Sequence, residues 1–149
     1  MTLNANQALY SQLFSNAAWV KTSCTLTAGQ TDSAAGTEAF TMTATGNNAT
    51  LLQSVVLDGT LNRTISIGIK RKTGTGAVSI TVDGSTYSVE TISGSWARYD
   101  TTLTASGTVT AGIKLATSGD EVYIEWAQLE DGLATTYATN TANRYTVTQ

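Results

Sequence analysis

The stretch "VSITVDGSTYSVETI" (Val78 to Ile92) decides the fold class of this chain. Apolar and polar residues alternate in both of its halves, which is the pattern of a β-strand with one buried face. Asp83-Gly84 lies between the halves and favours a tight turn, because both turn residues need a positive φ. The stretch therefore predicts a β-hairpin.

The same alternation recurs along the chain. It is found in "TISIGIK" (Thr64 to Lys70), "TVTAGIKL" (Thr108 to Leu115) and "AFTMTAT" (Ala39 to Thr45), each with one face toward a core. Further strands fit "ATLLQSVVL" (Ala49 to Leu57) and "WARYDTTLT" (Trp96 to Thr104). About eight short strands without an amphipathic helix between them predict an all-β antiparallel sandwich or barrel.

The composition agrees with strands. The chain has 149 residues, of which 41% are hydrophobic and 13% are charged, and 29 are Thr. Thr is β-branched and fits a half-buried pleated surface. This length and composition predict one domain with a real core and a surface of uncharged polar groups.

Several classes of function are disfavoured. The net charge is -3, and the basic residues are scattered apart from Lys70 to Lys72, so we expect no nucleic-acid partner. No apolar run is long enough to cross a membrane, and no secretory signal is apparent. Cys24 is the single cysteine and is interpreted as a small core thiol, because it has no partner for an internal disulfide.

Enzymatic chemistry is also disfavoured. The chain has no His, which removes the commonest general base and transition-metal ligand. A glycosidase needs two carboxylates about 5 to 10 Å apart. Glu125 and Glu130 would lie on opposite faces of an unbroken strand, so they do not predict a catalytic pair. We expect no enzyme, and a polysaccharide lyase or hydrolase is the disfavoured alternative.

The closing stretch "VYIEWAQLEDG" (Val122 to Gly132) changes parity. Val122, Ile124 and Trp126 share one face, whereas Leu129 belongs to the other. A bulge near Trp126-Ala127 would turn both sets toward the core. We expect a bulged central strand with Trp126 mostly buried. Trp19 and Trp96 are likewise interpreted as structural residues that cover the end of the sandwich. The opening "NANQALYSQLF" (Asn4 to Phe14) fits either a short helix or an extended arm.

A family resemblance can now be stated. The stretches "NAAWVKTSCTLTAGQTDSAAGTEAFTMTAT", "GSWARYDTTLTAS" and "VYIEWAQLEDGLATTYATN" resemble the carbohydrate-binding-module-like jelly rolls of tailed-phage virion proteins. Its most specific pieces are "AAWVK" (Ala17 to Lys21), Trp96 and "AQLEDG…TTY" (Ala127 to Tyr137), and it covers about residues 14 to 142. The resemblance implies a galactose-binding-like sandwich. We assign residues 1–13 to an N-terminal arm and residues 14–149 to the jelly-roll domain.

The resemblance implies a virion structural role more strongly than sugar binding. The first expectation is a non-enzymatic capsid decoration or cement protein on the head surface. It would be a homotrimer bound to the major capsid protein or other virion proteins. We expect no stalk or tail-attachment domain, which favours this role. The opening stretch "MTLNANQALYSQ" (Met1 to Gln12) is a candidate docking arm, and the alternative is a self-packed or disordered terminus.

The alternative function is a carbohydrate-binding tail-fibre or head-spike module that contacts host surface polysaccharide during adsorption. Tyr87, Tyr99, Asn47 and Asn48 are its candidate ligand residues, because they are aromatic or amide side chains outside the predicted core.

Related bacterial modules often hold a structural Ca²⁺, and the resemblance makes Asp32, Glu38 and Glu125 candidate ligands. No other metal or cofactor is expected.

Overall fold

The computed structural model describes residues 6–137. They form two antiparallel β-sheets and no helix. The strands are β1 (Trp19–Thr22), β2 (Cys24–Gln30), β3 (Ala39–Ala44), β4 (Ala49–Val56), β5 (Leu61–Thr73), β6 (Val78–Thr81), β7 (Tyr87–Glu90), β8 (Ala97–Ala105), β9 (Thr108–Leu115) and β10 (Glu121–Asp131). Within this range, no helix could cross a membrane.

Each sheet has five strands. Sheet 1 has the order β1-β4-β9-β6-β7, and sheet 2 has the order β2-β3-β10-β5-β8. The two sheets bury one core between them, as in a β-sandwich. The all-β antiparallel sandwich predicted from the alternating strands is confirmed.

The core is built by the alternating apolar residues. Ile65, Ile67 and Ile69 of β5 are fully buried, as are Ile80 of β6 and Ile113 of β9 from the other sheet. The prediction that this strand has one buried face is wrong for β5, because both of its faces are buried. Its Thr64 and Ser66 are also buried, because residues 132–137 and the Arg98 side chain cover this face.

The predicted hairpin forms, but its turn is longer than expected. β6 and β7 pair from Val78↔Glu90 to Thr81↔Tyr87, which leaves residues 82–86 as the loop. Gly84 has a φ of 79°, whereas Asp83 is not among the residues with positive φ. Asp83 instead closes the loop with its carboxylate, which accepts backbone N–H bonds from Ser85 at 2.8 Å and Thr86 at 2.7 Å.

The predicted bulge in β10 is confirmed. The register against β5 shifts between Glu125 and Gln128, and Trp126 has a φ of 52°. As a result, Ala127 and Leu129 face the core together with Val122 and Ile124. A bulge on this central strand re-aims the side chain at the irregular position, which here is Trp126.

Residues 6–14 fold back onto the sandwich as an irregular segment and not as a helix. β3 leaves β10 at Ile124↔Phe40, and the opening segment continues along the free edge of β10. The Gln7 N–H donates to the Leu129 carbonyl at 2.7 Å, and the Ala127 N–H donates to the Ser11 carbonyl at 3.0 Å. Phe14 joins the core.

This placement bears on the predicted N-terminal arm. Residues 6–12 of the candidate docking arm are the described part, and they contact the protein's own sandwich, as the self-packed alternative predicted. Residues 1–5 and the end of the assigned domain, 138–149, lie outside the described residues. The domain boundary after residue 13 stays a prediction.

Candidate functional site

A cleft of about 470 Å³ opens on the outer face of sheet 2. The middle of β5, the bulge of β10 and the start of β8 form it, together with the loop after β2 and the segment after β10. It is lined by Ser33, Gly68, Trp96, Ala97, Arg98, Glu125, Trp126, Thr136 and Tyr137. The cleft therefore combines three aromatic rings with a few polar groups, which is the usual make-up of a small-molecule site.

The floor of the cleft depends on a glycine. A Cβ placed on Gly68 of β5 would lie 2.6 Å from Cγ of Glu125, closer than real Cβ contacts allow. Because residue 68 has no side chain, the Glu125 side chain can lie flat across β5. Its carboxylate accepts a bond from the Ser33 N–H at 2.9 Å and one from the Ser33 hydroxyl at 2.8 Å.

Burial raises the pKa of Glu125. The side chain is almost fully buried, and this desolvation raises its pKa above the ordinary value. The two bonds from Ser33 favour the charged form and oppose the rise, whereas the nearby Asp32 carboxylate adds to it. The cleft thus has a carboxyl group on its floor that gains a proton more readily than an exposed glutamate.

Trp126 forms one wall of the cleft. Its ring stacks on Tyr137 with centroids 5.5 Å apart and planes 16° apart. The side chain is partly buried, but it does not belong to the hydrophobic core, so the interpretation of Trp126 as a core residue is wrong. The positive φ of Trp126 turns its ring to the outer face, while the side chains of Ile124 and Ala127 on either side of it still point into the core. Its indole N–H has no hydrogen-bond acceptor among the described residues.

Trp96 forms the opposite wall. It is half-buried, and its ring lies 6.3 Å from the ring of Tyr123 at an angle of 47°. The prediction that Trp96 covers the end of the sandwich is wrong, because its ring lines the cleft on the outer face of sheet 2. Trp19, in contrast, is 3% exposed and packs on Phe14 at 5.1 Å, so its structural interpretation is confirmed.

A polar network fastens the segment after β10 onto the sheet. Arg98 lies 3.8 Å from the Glu130 carboxylate and donates to the Ser66 hydroxyl at 2.6 Å and to the Thr135 carbonyl. The Gln128 amide donates to Glu130 at 2.7 Å. These contacts hold residues 132–137 in place, and that segment supplies Thr136 and Tyr137 to the cleft.

The bulge also changes the relation between two acidic residues. Glu125 and Glu130 were expected on opposite faces of an unbroken strand, but the register shift puts both on the outer face. Both are buried and hydrogen-bonded, Glu125 to Ser33 and Glu130 to Gln128 and Thr135. Each carboxylate already has partners in the structure.

The predicted ligand residues do not come together. Tyr87 lies on sheet 1, where the Lys114 ammonium stands 4.0 Å from its ring centroid. Tyr99 packs against the core at β8. Asn47 and Asn48 lie in the loop between β3 and β4, and Asn47 accepts the Ser118 N–H at 3.0 Å. None of the four lines the cleft, and a ligand role for them stays a prediction.

The predicted calcium ligands are also placed. Asp32 precedes Ser33, which donates to Glu125, and Glu38 is exposed. Asp32 accepts N–H bonds from Ala34 at 2.9 Å, Gly36 at 2.8 Å and Glu38 at 3.1 Å. The part of the chain that the structure describes contains no group of three metal-ligating side chains. Calcium binding at these positions stays a prediction.

The sequence did not indicate the residues that line the cleft. The sequence predicts a structural role for Trp96 and Trp126, a calcium-ligand role for Glu125 and a place for Tyr137 in the motif of the resemblance, but no shared sugar site. The available signal was the parity change at Trp126-Ala127, because one residue of a bulge must leave the face that its neighbours share. Ser33 carried no signal, since it meets Glu125 only through the fold.

Comparisons with known proteins place the fold. No family model matches the chain, and no curated protein matches its sequence. The structure is similar to the CBM22-1 xylan-binding domain of Paenibacillus barcinonensis Xyn10C, with a TM-score of 0.62 and 12% identity, over 89% of this chain and 95% of that one.

Two further structures are similar. One is the carbohydrate-binding module CBM6cm-2 of Cellvibrio mixtus lichenase 5A in complex with cellotriose, with a TM-score of 0.54 and 14% identity, over 89% of this chain and 100% of that one. The other is the enzymatically active domain of bacteriophage CBA120 tailspike protein 4, with a TM-score of 0.59 and 13% identity, over 84% of this chain but 21% of that one. At such identities the likeness shows the fold alone, and the chain has the jelly-roll fold of carbohydrate-binding modules, as predicted.

Proposed function

We propose that this protein is a non-enzymatic carbohydrate-binding module and that the cleft on sheet 2 holds the sugar. The observation that carries the proposal is the pair of aromatic walls, Trp96 on one side and Trp126 stacked on Tyr137 on the other. Aromatic rings offer flat apolar surfaces to the C–H faces of sugar rings, and a few fixed polar groups then orient the hydroxyls.

The polar groups of the cleft suit this task. Arg98 is a donor, and the Glu125 carboxylate is an acceptor whose two Ser33 bonds fix its position. A protein site that orients hydroxyl groups needs both kinds of partner.

Two of the similar structures support the class of ligand. One is described as a xylan-binding domain, and another was solved with cellotriose. We carry over the class, a polysaccharide, and not the particular sugar. A non-enzymatic role fits the internal bonds of Glu130, which commit this buried carboxylate to the network that holds residues 132–137.

This proposal follows the alternative function from the sequence, a module that contacts host polysaccharide, and not the first expectation. Capsid decoration, a trimer, a capsid-protein partner and a place on the virion stay predictions, and no contact among residues 6–137 favours them. The likeness to a phage tailspike domain extends to the fold. In a phage, the proposed activity would serve adsorption by a fibre or spike.

The test is affinity electrophoresis and calorimetry of the full chain against soluble β-1,4-xylan, cello-oligosaccharides and a panel of bacterial surface polysaccharides. Trp96→Ala is the informative variant, because the half-buried ring can be removed without opening the core. Tyr87→Ala is the matched control, since it removes an aromatic side chain from the outer face of the other sheet. Melting temperatures accompany each binding measurement.

We expect the parent and Tyr87→Ala to bind the same polysaccharide equally, and Trp96→Ala to lose most of the affinity with its melting temperature kept. Loss of binding in Tyr87→Ala alone would move the site to sheet 1 and overturn the assignment of the cleft. Absence of binding to the whole panel at millimolar sugar would overturn the proposed function.

A further inference from the structure

The aromatic surface of the cleft continues to a pair of lysines. Tyr123 follows Trp96 on the outer face of sheet 2, and the Lys70 and Lys72 ammonium groups lie 5.6 Å and 5.3 Å from its ring centroid. Lys70 is two positions beyond Gly68, the floor of the cleft, and so points from the same face of β5. The ammonium groups therefore stand on the same face, next to the Trp96 side of the cleft and outside its lining.

Lys70 has no carboxylate within 4.0 Å among residues 6–137, whereas the buried Arg63 and the partly buried Arg71 pair with Asp131 and Asp120. Lys72 lies 3.9 Å from Glu121, at the long limit of an ion pair, and both of these side chains are partly exposed. Exposed pairs of this kind are weak. Lys72 also donates to the Thr41 hydroxyl at 3.4 Å, so Lys70 carries the charge that is most free to meet a ligand.

The acidic groups on the same face leave the charge of Lys70 uncompensated. Glu130 is buried beside Arg98, and the Glu125 carboxylate is bonded to Ser33. The hydroxyls of Thr43 and Thr73 lower the pKa of Glu121, so this carboxylate stays charged and offsets part of the charge of Lys72. Asp100 is opposite Ser66 in the register of β5 and β8, while Lys70 follows the Ile69↔Ala97 pair. Asp100 is therefore about 13 Å away along the strand.

A sugar ring placed against Trp96 and Tyr123 has its exocyclic groups within reach of these flexible side chains. A neutral sugar would leave the free ammonium in water and gain little from it. A carboxylate or sulfate on the ring would form charge-assisted bonds, which are stronger than neutral ones.

We infer that the cleft takes an acidic polysaccharide, with an anionic group of the glycan on Lys70 and Lys72 beside Tyr123. This inference rests on the proposed function and names the class of its ligand. The protein as a whole has a net charge of -3, so a general attraction for polyanions does not account for such a preference. The recognition is local, at these two lysines.

The experiment compares each acidic glycan with a neutral copy of itself. Glucuronoxylan, alginate and hyaluronan are each measured by calorimetry before and after chemical reduction of their carboxyl groups to alcohols. Sulfated xylan forms a separate arm and distinguishes sulfate from carboxylate as the preferred anion. The variants are Lys70→Gln with Lys72→Gln, and the control is Lys114→Gln, which removes an ammonium that also stands over a tyrosine ring but on sheet 1.

We expect at least one acidic glycan to bind roughly two- to tenfold more tightly than its reduced form, as one or two exposed ion pairs provide. The double variant should lose this preference and keep its affinity for the reduced form, and Lys114→Gln should change neither. Added salt should weaken binding of the acidic form only.

Equal affinity for both forms, with binding still dependent on Trp96, would overturn the acidic ligand and leave the proposed function standing. An equal loss of preference in Lys114→Gln would also overturn it, since overall charge would then be the cause. Absence of binding to either form of every glycan would overturn both proposals.

Discussion

The indole of Trp126 and the phenol ring of Tyr137 stack with their planes 16° apart, and this pair sits on the surface of the sandwich and not in its core. The positive φ of Trp126 holds the arrangement, because it rotates this residue out of the face that Ile124 and Ala127 share. The ring is a cleft wall placed by a backbone irregularity.

We predict that Trp126→Ala lowers the free energy of unfolding by less than about 3 kcal/mol, the lower end of the range for emptying an aromatic core site. Binding of polysaccharide should be lost. Trp126→Gly should be at least as stable as Trp126→Ala, because a left-handed backbone costs about 1 to 2 kcal/mol for residues with a Cβ. Urea unfolding of the three proteins checks this, and a loss of 3 to 5 kcal/mol in Trp126→Ala would restore the core interpretation.

Gly68→Ala should close the floor of the cleft. The new Cβ would lie 2.6 Å from Cγ of Glu125, so the glutamate must move and give up its bonds to Ser33. Overpacking of this kind costs typically about 1 to 3 kcal/mol. We expect lower stability and weaker binding by calorimetry. Gly94→Ala is the control, because nothing lies within 4 Å of its added Cβ; equal effects in both variants would contradict the role of Gly68.

The sequence predicted the sandwich because the alternation of residues such as Ile65, Ile67 and Ile69 directly reports a buried strand face. It also predicted the bulge, since Leu129 could not otherwise join Ile124 in the core. The direction of Trp126 was missed, because the parity change shows that one residue is irregular but not which backbone angle it adopts. Residues that contact each other far apart in the chain, such as Ser33 and Glu125, leave no local pattern at all.

The hairpin shows the same limit on a smaller scale. Asp83-Gly84 correctly marked the place where the chain reverses. The expected tight turn did not form because Thr81 pairs with Tyr87, and the Asp83 side chain satisfies the N–H groups of the longer loop. Composition located the turn, and side-chain hydrogen bonds set its length.

The raised pKa of Glu125 predicts a pH dependence. Between the ordinary glutamate pKa and the raised value, the folded protein binds more protons at this site than the unfolded chain does. Its contribution to the free energy of unfolding therefore falls as pH rises through that window. We expect the stability of the parent relative to Glu125→Gln to be greatest in acid and to decline toward neutral pH. Urea titrations of both proteins across this range check it; a difference that grows with pH would show that the charged form is favoured.

Asp32 should behave in the opposite way. Backbone N–H bonds from Glu38 and Gly36 lower its pKa, so its charged form is favoured by folding. The stability it contributes is present above the ordinary aspartate pKa and is lost as pH falls through the lowered value. Asp32→Asn should thus be less stable than the parent, with the largest difference in free energy of unfolding at neutral pH and a smaller one in acid. Urea unfolding of both proteins across this pH range measures the difference, and a difference that does not change with pH would contradict the assigned hydrogen bonds.

The opening segment provides the last prediction, which concerns Asn6. Its buried side chain donates to the Ala127 carbonyl at 3.0 Å and accepts the N–H groups of Ala8 at 3.0 Å and Leu129 at 3.2 Å. It therefore closes the edge of β10 just after the bulge, where β3 no longer pairs. Asn6→Ala would leave buried backbone groups without these partners, at a cost of about 1 to 3 kcal/mol.

We expect Asn6→Ala to have a lower melting temperature than the parent. The control Ser15→Ala, which changes an exposed hydroxyl in the following turn, should have the melting temperature of the parent. Binding of polysaccharide should weaken as well, because the Ser11 hydroxyl of the same segment contacts the Tyr137 hydroxyl at 2.7 Å and so supports the cleft wall. A segment that served only to dock on another protein would have no such effect. Unchanged melting of Asn6→Ala would return residues 6–12 to the interpretation of a docking arm.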